Sequence, residues 1–162
     1  MGYNRRAKGL ALQPTIIQQF YEKKKKISVM KLSLKSEYAC LALIDLAENS
    51  GESIVKIEEI SKRKSIPKKF LEQILLSLKN AGYVKSRRGP EGGYMLAKKP
   101  SEINLAEIIR LMDGALAPVE SVSVYFYDST PIEQSGRLIS VFKDIRDYIS
   151  DKLENTTFAD LL

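Results

Sequence analysis

Between Pro67 and Gly82 the residues Leu71, Ile74, Leu75 and Leu78 recur with the three-and-four spacing of a helix buried along one side. Pro67 suits the first turn of that helix, where a missing N–H has no partner to lose, and Gly82 supplies the stop. Residues 56–64 form a shorter helical stretch with Ile57 and Ile60 as its buried edge, and Ser65-Ile66-Pro67 leaves room only for a tight turn. After Gly82, residues 83–88 and 94–99 flank Gly89-Pro90-Glu91-Gly92-Gly93, where glycines permit positive φ and the proline stiffens a hairpin turn. Short helix, tight turn, longer helix and hairpin follow the order of a winged helix-turn-helix.

The flanking sequence completes a mainly α chain with one small β-hairpin. A helix begins after Ser33, a suitable N-cap, with Leu34, Tyr38, Leu41, Ala42, Ile44 and Leu46 on its apolar face and Asp45 among them; Gly51 closes it, and Ile54-Val55 reads as extended. Residues 104–113 form an amphipathic helix burying Leu105, Ile108, Ile109 and Met112, ended by Gly114. Residues 115–135 lack a helical period; Val122, Val124 and Phe126 alternate as in a short strand or an ordered loop. The longest helix runs from Gly136 to about Asn155, and its stripe of Leu138, Phe142, Ile145, Ile149 and Leu153 is expected to form a homodimer seam; packing within the same domain is the alternative. Thr156 or Thr157 then caps a terminal turn. The expected organisation is an extension at 1–29, a winged-helix domain at 30–114, a sensory-type loop at 115–135, and a dimerisation helix with its C-terminal turn at 136–162.

Charge is segregated along the chain. Residues 1–29 hold seven Lys/Arg against one Glu, residues 56–99 hold twelve against four, and residues 100–162 hold five against eleven acids. No stable fold is assigned to residues 1–29. Either translation starts naturally at Met30 and the segment is not native, or it is a basic arm for DNA phosphates. The cationic middle third points to double-stranded DNA as partner, because it coincides with the helix-turn-helix. Lys68 and Lys69 occupy the first turn of the second helix, where the helix dipole disfavours cations and no local compensation is visible; a facing phosphate backbone would supply it. Arg87 and Arg88 at the hairpin tip are placed for a minor groove. The glycine-rich tip is not a nucleotide cradle, since no Gly-Lys-Ser/Thr follows and no helix opens on it.

Other classes are excluded by what is missing. The chain has no histidine and one cysteine, Cys40, which removes intramolecular disulfides, multi-thiolate metal sites and the commonest catalytic bases and nucleophile pairs. Cys40 lies among apolar neighbours and reads as a core thiol rather than a redox sensor. No stretch is apolar enough to span a bilayer and no signal peptide is evident, so the expected location is the cytoplasm and no membrane partner is expected. The expectation is a regulator and not an enzyme; the alternative is a winged-helix adaptor that contacts proteins rather than DNA.

From Met30 to Leu162 the chain resembles the Rrf-two family of bacterial repressors, of the IscR, NsrR and CymR type. The likeness is carried by Met30-Lys31-Leu32-Ser33, Phe70-Leu71-Glu72-Gln73-Ile74, Arg88-Gly89-Pro90-Glu91-Gly92-Gly93-Tyr94, Leu116-Ala117-Pro118-Val119-Glu120 and Thr156-Thr157-Phe158-Ala159-Asp160-Leu161. The resemblance implies a homodimer joined by its long C-terminal helix, with each subunit on one half of a palindromic operator. It places Phe70, Glu72 and Gln73 at the major groove and Arg88, with Gly89, Pro90, Gly92 and Gly93, at the minor groove. Many members hold an iron–sulfur cluster through three cysteines, the first following Ala-Pro-Val-Glu; here that position is Ser121 and no cysteine lies beyond it. Serine is a poor iron ligand beside a thiolate, so no cluster or other cofactor is expected. The loop 115–135, with Tyr125, Phe126 and Tyr127, is then a candidate site for a small effector or a protein partner, or a degenerate loop with no sensory role.

Overall fold

The computed structural model describes residues 32–49 and 53–162. The readings of residues 1–31, including Met30 as a start, and of Gly51 as a helix stop lie outside the described residues. Among the described residues, five helices and one hairpin occur in the order α1 (Leu34–Asn49), α2 (Ile57–Lys64), α3 (Lys68–Asn80), β1 (Val84–Arg87), β2 (Gly93–Leu96), α4 (Leu105–Asp113) and α5 (Gly136–Glu154). Short 3₁₀ turns lie at Pro100–Glu102, Glu120–Val122, Pro131–Gln134 and Phe158–Leu161. This is a winged helix-turn-helix followed by a long C-terminal helix.

The core gathers the apolar stripes of these helices. Leu71, Ile74, Leu75 and Leu78 of α3 are fully buried against Ala39, Ala42, Leu43 and Leu46 of α1, with Ile60 of α2 and Ile108 of α4 in the same cluster. The face of α1 differs from expectation in part: Leu34 and Leu41 are exposed and Ser36 is buried, whereas Asp45 lies inward with the apolar stripe as its spacing indicated. Asp45 is tolerated inside because Arg63 of α2 grips it with two parallel bonds, Nε to Oδ1 at 2.8 Å and a terminal nitrogen to Oδ2 at 2.7 Å. Ser33 caps α1, its hydroxyl accepting the Ser36 N–H at 3.2 Å while donating to the Asp113 carboxylate at the end of α4.

The turn between α2 and α3 is fixed by its own chemistry. Ser65 adopts the left-handed conformation at φ 53°, and the Ser61 hydroxyl donates to the Ile66 carbonyl at 2.6 Å. Pro67 stands at the N-cap of α3, one position before the first turn, and its carbonyl accepts from the N–H groups of Phe70 and Leu71. Ile66 is buried between the two helices as part of the core.

The wing is a two-stranded antiparallel sheet with Val84 opposite Leu96 and Arg87 opposite Gly93. Its tip is a turn closed by the Gly92 N–H on the Gly89 carbonyl at 2.8 Å, with Pro90 at the second position, where its fixed φ fits. Val55 pairs with Tyr94 through two bonds of 2.9 and 2.8 Å, so the extended stretch before α2 runs beside the wing. That approach requires glycine at position 93, where a Cβ would lie 2.3 Å from the Val55 carbonyl oxygen.

Near the C-terminus the structure takes the loop alternative for residues 115–135 and caps the terminal turn with Thr157. Residues 115–135 contain no strand; Val122 is buried but Val124 and Phe126 are exposed. The terminal turn is anchored in the core: Phe158 is 1% exposed, its N–H bonds the Ile103 carbonyl at 2.9 Å, and the Leu105 N–H bonds the Thr156 carbonyl at 2.9 Å. Asp160 holds the turn through both the N–H and the hydroxyl of Thr157.

Candidate nucleic-acid interface

Two contacts flank α2 where the helix-turn-helix meets the wing. On one side of α2, Glu58 in its first turn pairs with Lys68 in the first turn of α3, at 2.5 Å. On the other side, Val55, two residues before α2, carries Tyr94 of the wing. The N-termini of α2 and α3 and the tip-proximal half of β2 are thereby neighbours, held by the buried Ile60, Ile66 and Leu71 and by the Val55–Tyr94 bridge. Lys56, Lys69, Glu72, Gln73, Arg87, Arg88, Gly89 and Pro90 are all exposed, and Lys69, Arg87 and Arg88 form no salt bridge among the described residues. Gly92 is constrained by the tip itself, since a Cβ there would lie 2.3 Å from the Arg87 carbonyl oxygen.

Lys68 departs from the sequence reading. Its charge is compensated, by Glu58 ten residues back on the neighbouring helix. The shared hydrogen bond lowers the carboxyl pKa of Glu58 and raises that of the Lys68 ammonium. Phe70, unlike Glu72 and Gln73 beside it, is half-buried, edge-on to Tyr38 of α1 with ring centroids 5.6 Å apart. The cationic middle third is also not a single face. Arg63 and Lys64 are spent on Asp45 and Glu48, Lys79 lies in the last turn of α3, and Lys98 sits 4.6 Å over the Tyr83 ring at the base of the hairpin. What spacing alone did not reveal is the role of Val55 and Tyr94, which join the wing to the helices; the short extended stretch before α2 was the available signal.

The loop after α4 closes on itself through hydroxyls. Ser121, at the position expected of a first cluster cysteine, is buried with its Oγ 2.6 Å from Thr130 Oγ1. The Phe126 N–H bonds Ser123 Oγ at 3.0 Å, and the Tyr127 hydroxyl donates to Glu133 at 3.0 Å. Val124, Tyr125, Phe126 and Tyr127 remain exposed. The cavity beneath the loop, lined in part by Arg110, Leu116, Phe126 and Arg146, measures about 20 Å³, room for about one water molecule. Arg110 of α4 bonds Ser150 and Glu154 of α5 and lies 5.5 Å from the Tyr125 ring, while Arg146 of α5 bonds the Val122 carbonyl at 2.7 Å.

No residue of α5 is buried. Of the stripe assigned to a dimer seam, Phe142, Ile145, Ile149 and Leu153 are half-buried and Leu138 is exposed. Val141 and Tyr148, 52% and 74% exposed, extend the apolar surface on the outer side.

Metal chemistry finds little purchase. Burial, and secondarily the Asp113 carboxylate, push the Cys40 thiol up to about 11, so it rests protonated on α1. Among the described residues no three His, Cys, Asp or Glu side chains gather as a metal site. The donor set does not fit an iron–sulfur cluster, because the loop's key position is a serine already bonded to Thr130.

This arrangement defines a helix-turn-helix DNA-binding regulator. The profile of the Rrf2 family, described as iron-dependent transcriptional regulators, matches residues 32–162, and the chain belongs to that family. It is 35% identical over 132 residues to the HTH-type transcriptional regulator CymR of Bacillus subtilis, spanning 82% of this chain and 89% of that protein. The solved structure of CymR, titled the global cysteine regulator of B. subtilis, superposes with a TM-score of 0.66 at 34% identity, covering 82% of this chain and 96% of that one. IscR of T. potens superposes with a TM-score of 0.64 at 32% identity, covering 82% and 85%. The family comprises regulators rather than enzymes, and none of the described helices is long and apolar enough to cross a membrane.

Proposed function

We propose that the chain represses transcription as a homodimer on a palindromic operator, without an iron–sulfur cluster. Each subunit lays the N-terminal half of α3 in the major groove, with Lys69 on phosphate and Glu72 and Gln73 at base edges. Phe70 supports that helix from the protein side, and the wing tip, Arg87 to Gly93, enters the adjacent minor groove. The observation that carries this reading is the pairing of Val55 with Tyr94 together with the buried packing of Ile60 and Ile66 on Leu71, which holds the recognition helix and wing as one unit. The half-open apolar stripe of α5 supports pairing of two copies through that helix. The domain divisions follow: reading head at 30–114, loop at 115–135 as a contact site for an effector or partner, pairing element at 136–162.

Binding to duplex from the chain's own upstream region tests the proposal. The expected result is two protected half-sites about one helical turn apart, with affinity falling steeply as salt rises. Arg88→Ala should weaken binding about tenfold, reduce the salt slope by about 0.9 per engaged subunit, and leave the oligomeric state intact. Unchanged affinity in that variant discards the wing assignment.

A further inference from the structure

We propose that Glu58 is a built-in competitor for the phosphate that Lys68 would otherwise hold, and so sets operator affinity without choosing sequence. The inference rests on the DNA-binding reading above. Adjacent lysines open α3, and the structure treats them differently: Lys68 is paired with Glu58 at 2.5 Å, whereas Lys69 is exposed with no acidic partner among the described residues. Both members of the pair are open to solvent, at 49% and 62% side-chain exposure, so the contact is an exchangeable surface interaction rather than part of the core. Glu58 gains from its place in the first turn of α2, where a carboxylate suits the helix dipole, and Lys68 is relieved of an unfavourable position in the first turn of α3. A phosphate approaching α3 therefore meets Lys69 as a full charge and Lys68 with its charge offset, chiefly by Glu58 and secondarily by Glu72 one turn along the same helix. Phosphate contacts carry affinity and salt dependence but no base information, so the masking acts equally on operator and unrelated duplex.

The test is a double-mutant cycle on the full chain, read by titration of operator and scrambled duplex at several salt concentrations. Glu58→Gln should tighten binding to both duplexes by about five- to tenfold and steepen the salt slope by about 0.9 per engaged subunit. Lys68→Ala in the wild-type background should weaken binding less than Lys69→Ala does, and in the Glu58→Gln background it should abolish the gain. Unchanged or weaker binding by Glu58→Gln, or a gain that survives Lys68→Ala, overturns the proposal. If Arg88→Ala still weakens the wild type in that case, the DNA-binding reading stands alone; if the wild type binds neither duplex, both fall.

Discussion

Asp45 is wholly buried on α1 and receives two parallel bonds from Arg63 of α2, whose side chain is 38% exposed on its outer side. The two partners are unequal. Removing the arginine strands a carboxylate in the core, whereas removing the carboxylate leaves a guanidinium that water can reach. Arg63→Met should cost about 3 kcal/mol of unfolding free energy and Asp45→Asn less, about 1–2 kcal/mol. Urea midpoints of the two variants check the order; equal losses would show that the angle between α1 and α2 is set by packing alone.

Gly93→Ala should open the wing. The new Cβ would meet the backbone of Val55 at 2.3 Å, and a carbonyl oxygen within a paired stretch cannot swing aside as a side chain could. Expected are a loss of about 1–3 kcal/mol and faster hydrogen exchange at the amides of Val55 and Tyr94. Gly82→Ala is the control: it meets no atom within 4 Å but sits at φ +81°, so it should cost about 1 kcal/mol and leave those amides protected.

The cap at Ser33 predicts an acid dependence. Burial opposes ionisation of Asp113, yet the hydrogen bonds from the Ser33 hydroxyl and N–H outweigh it and hold the carboxyl below its ordinary value of 3.8. A depressed carboxyl contributes stability that is present above pH 3.8 and is lost as pH falls through the lower, folded-state value. Ser33→Ala should therefore destabilise by about 1 kcal/mol at neutral pH, and the gap to wild type should narrow below pH 4. A gap independent of pH would assign the whole effect to the cap.

Charge on the outer side of α5 should separate the proposed dimer without unfolding the subunit. Val141 and Tyr148 are mostly exposed, so Val141→Asp with Tyr148→Asp removes little from the core. Light scattering should report a monomer with unchanged far-ultraviolet circular dichroism and operator binding weakened more than tenfold. A dimer that persists would move the interface elsewhere.

Local chemistry made much of this fold legible. The spacing of Leu71, Ile74, Leu75 and Leu78 announces the buried side of α3, and Gly114 ends α4 at φ +87°, because each depends on residues within one or two turns. Long-range pairings were not legible. Lys68 looked uncompensated because Glu58 is brought to it by a turn whose path spacing cannot specify. Asp45 sat on an apolar stripe with nothing nearby to identify Arg63 as its partner, and Leu34 and Leu41 were assigned inward by apolarity alone. Val124 and Phe126 alternate as strand residues do, but no second strand pairs with them in the described structure. For the candidate interface, residue types at the wing tip and α3 were readable, while the Val55–Tyr94 join that aligns them was not.

Phe158 fills the core beneath a reading head whose other elements all precede it. During synthesis the helix-turn-helix and wing emerge well before the plug that completes their packing. A nascent chain still tethered near this point carries the side chains for gripping a duplex on an unfinished support. The order of synthesis thus delays a fully packed helix-turn-helix and wing until Phe158 has emerged.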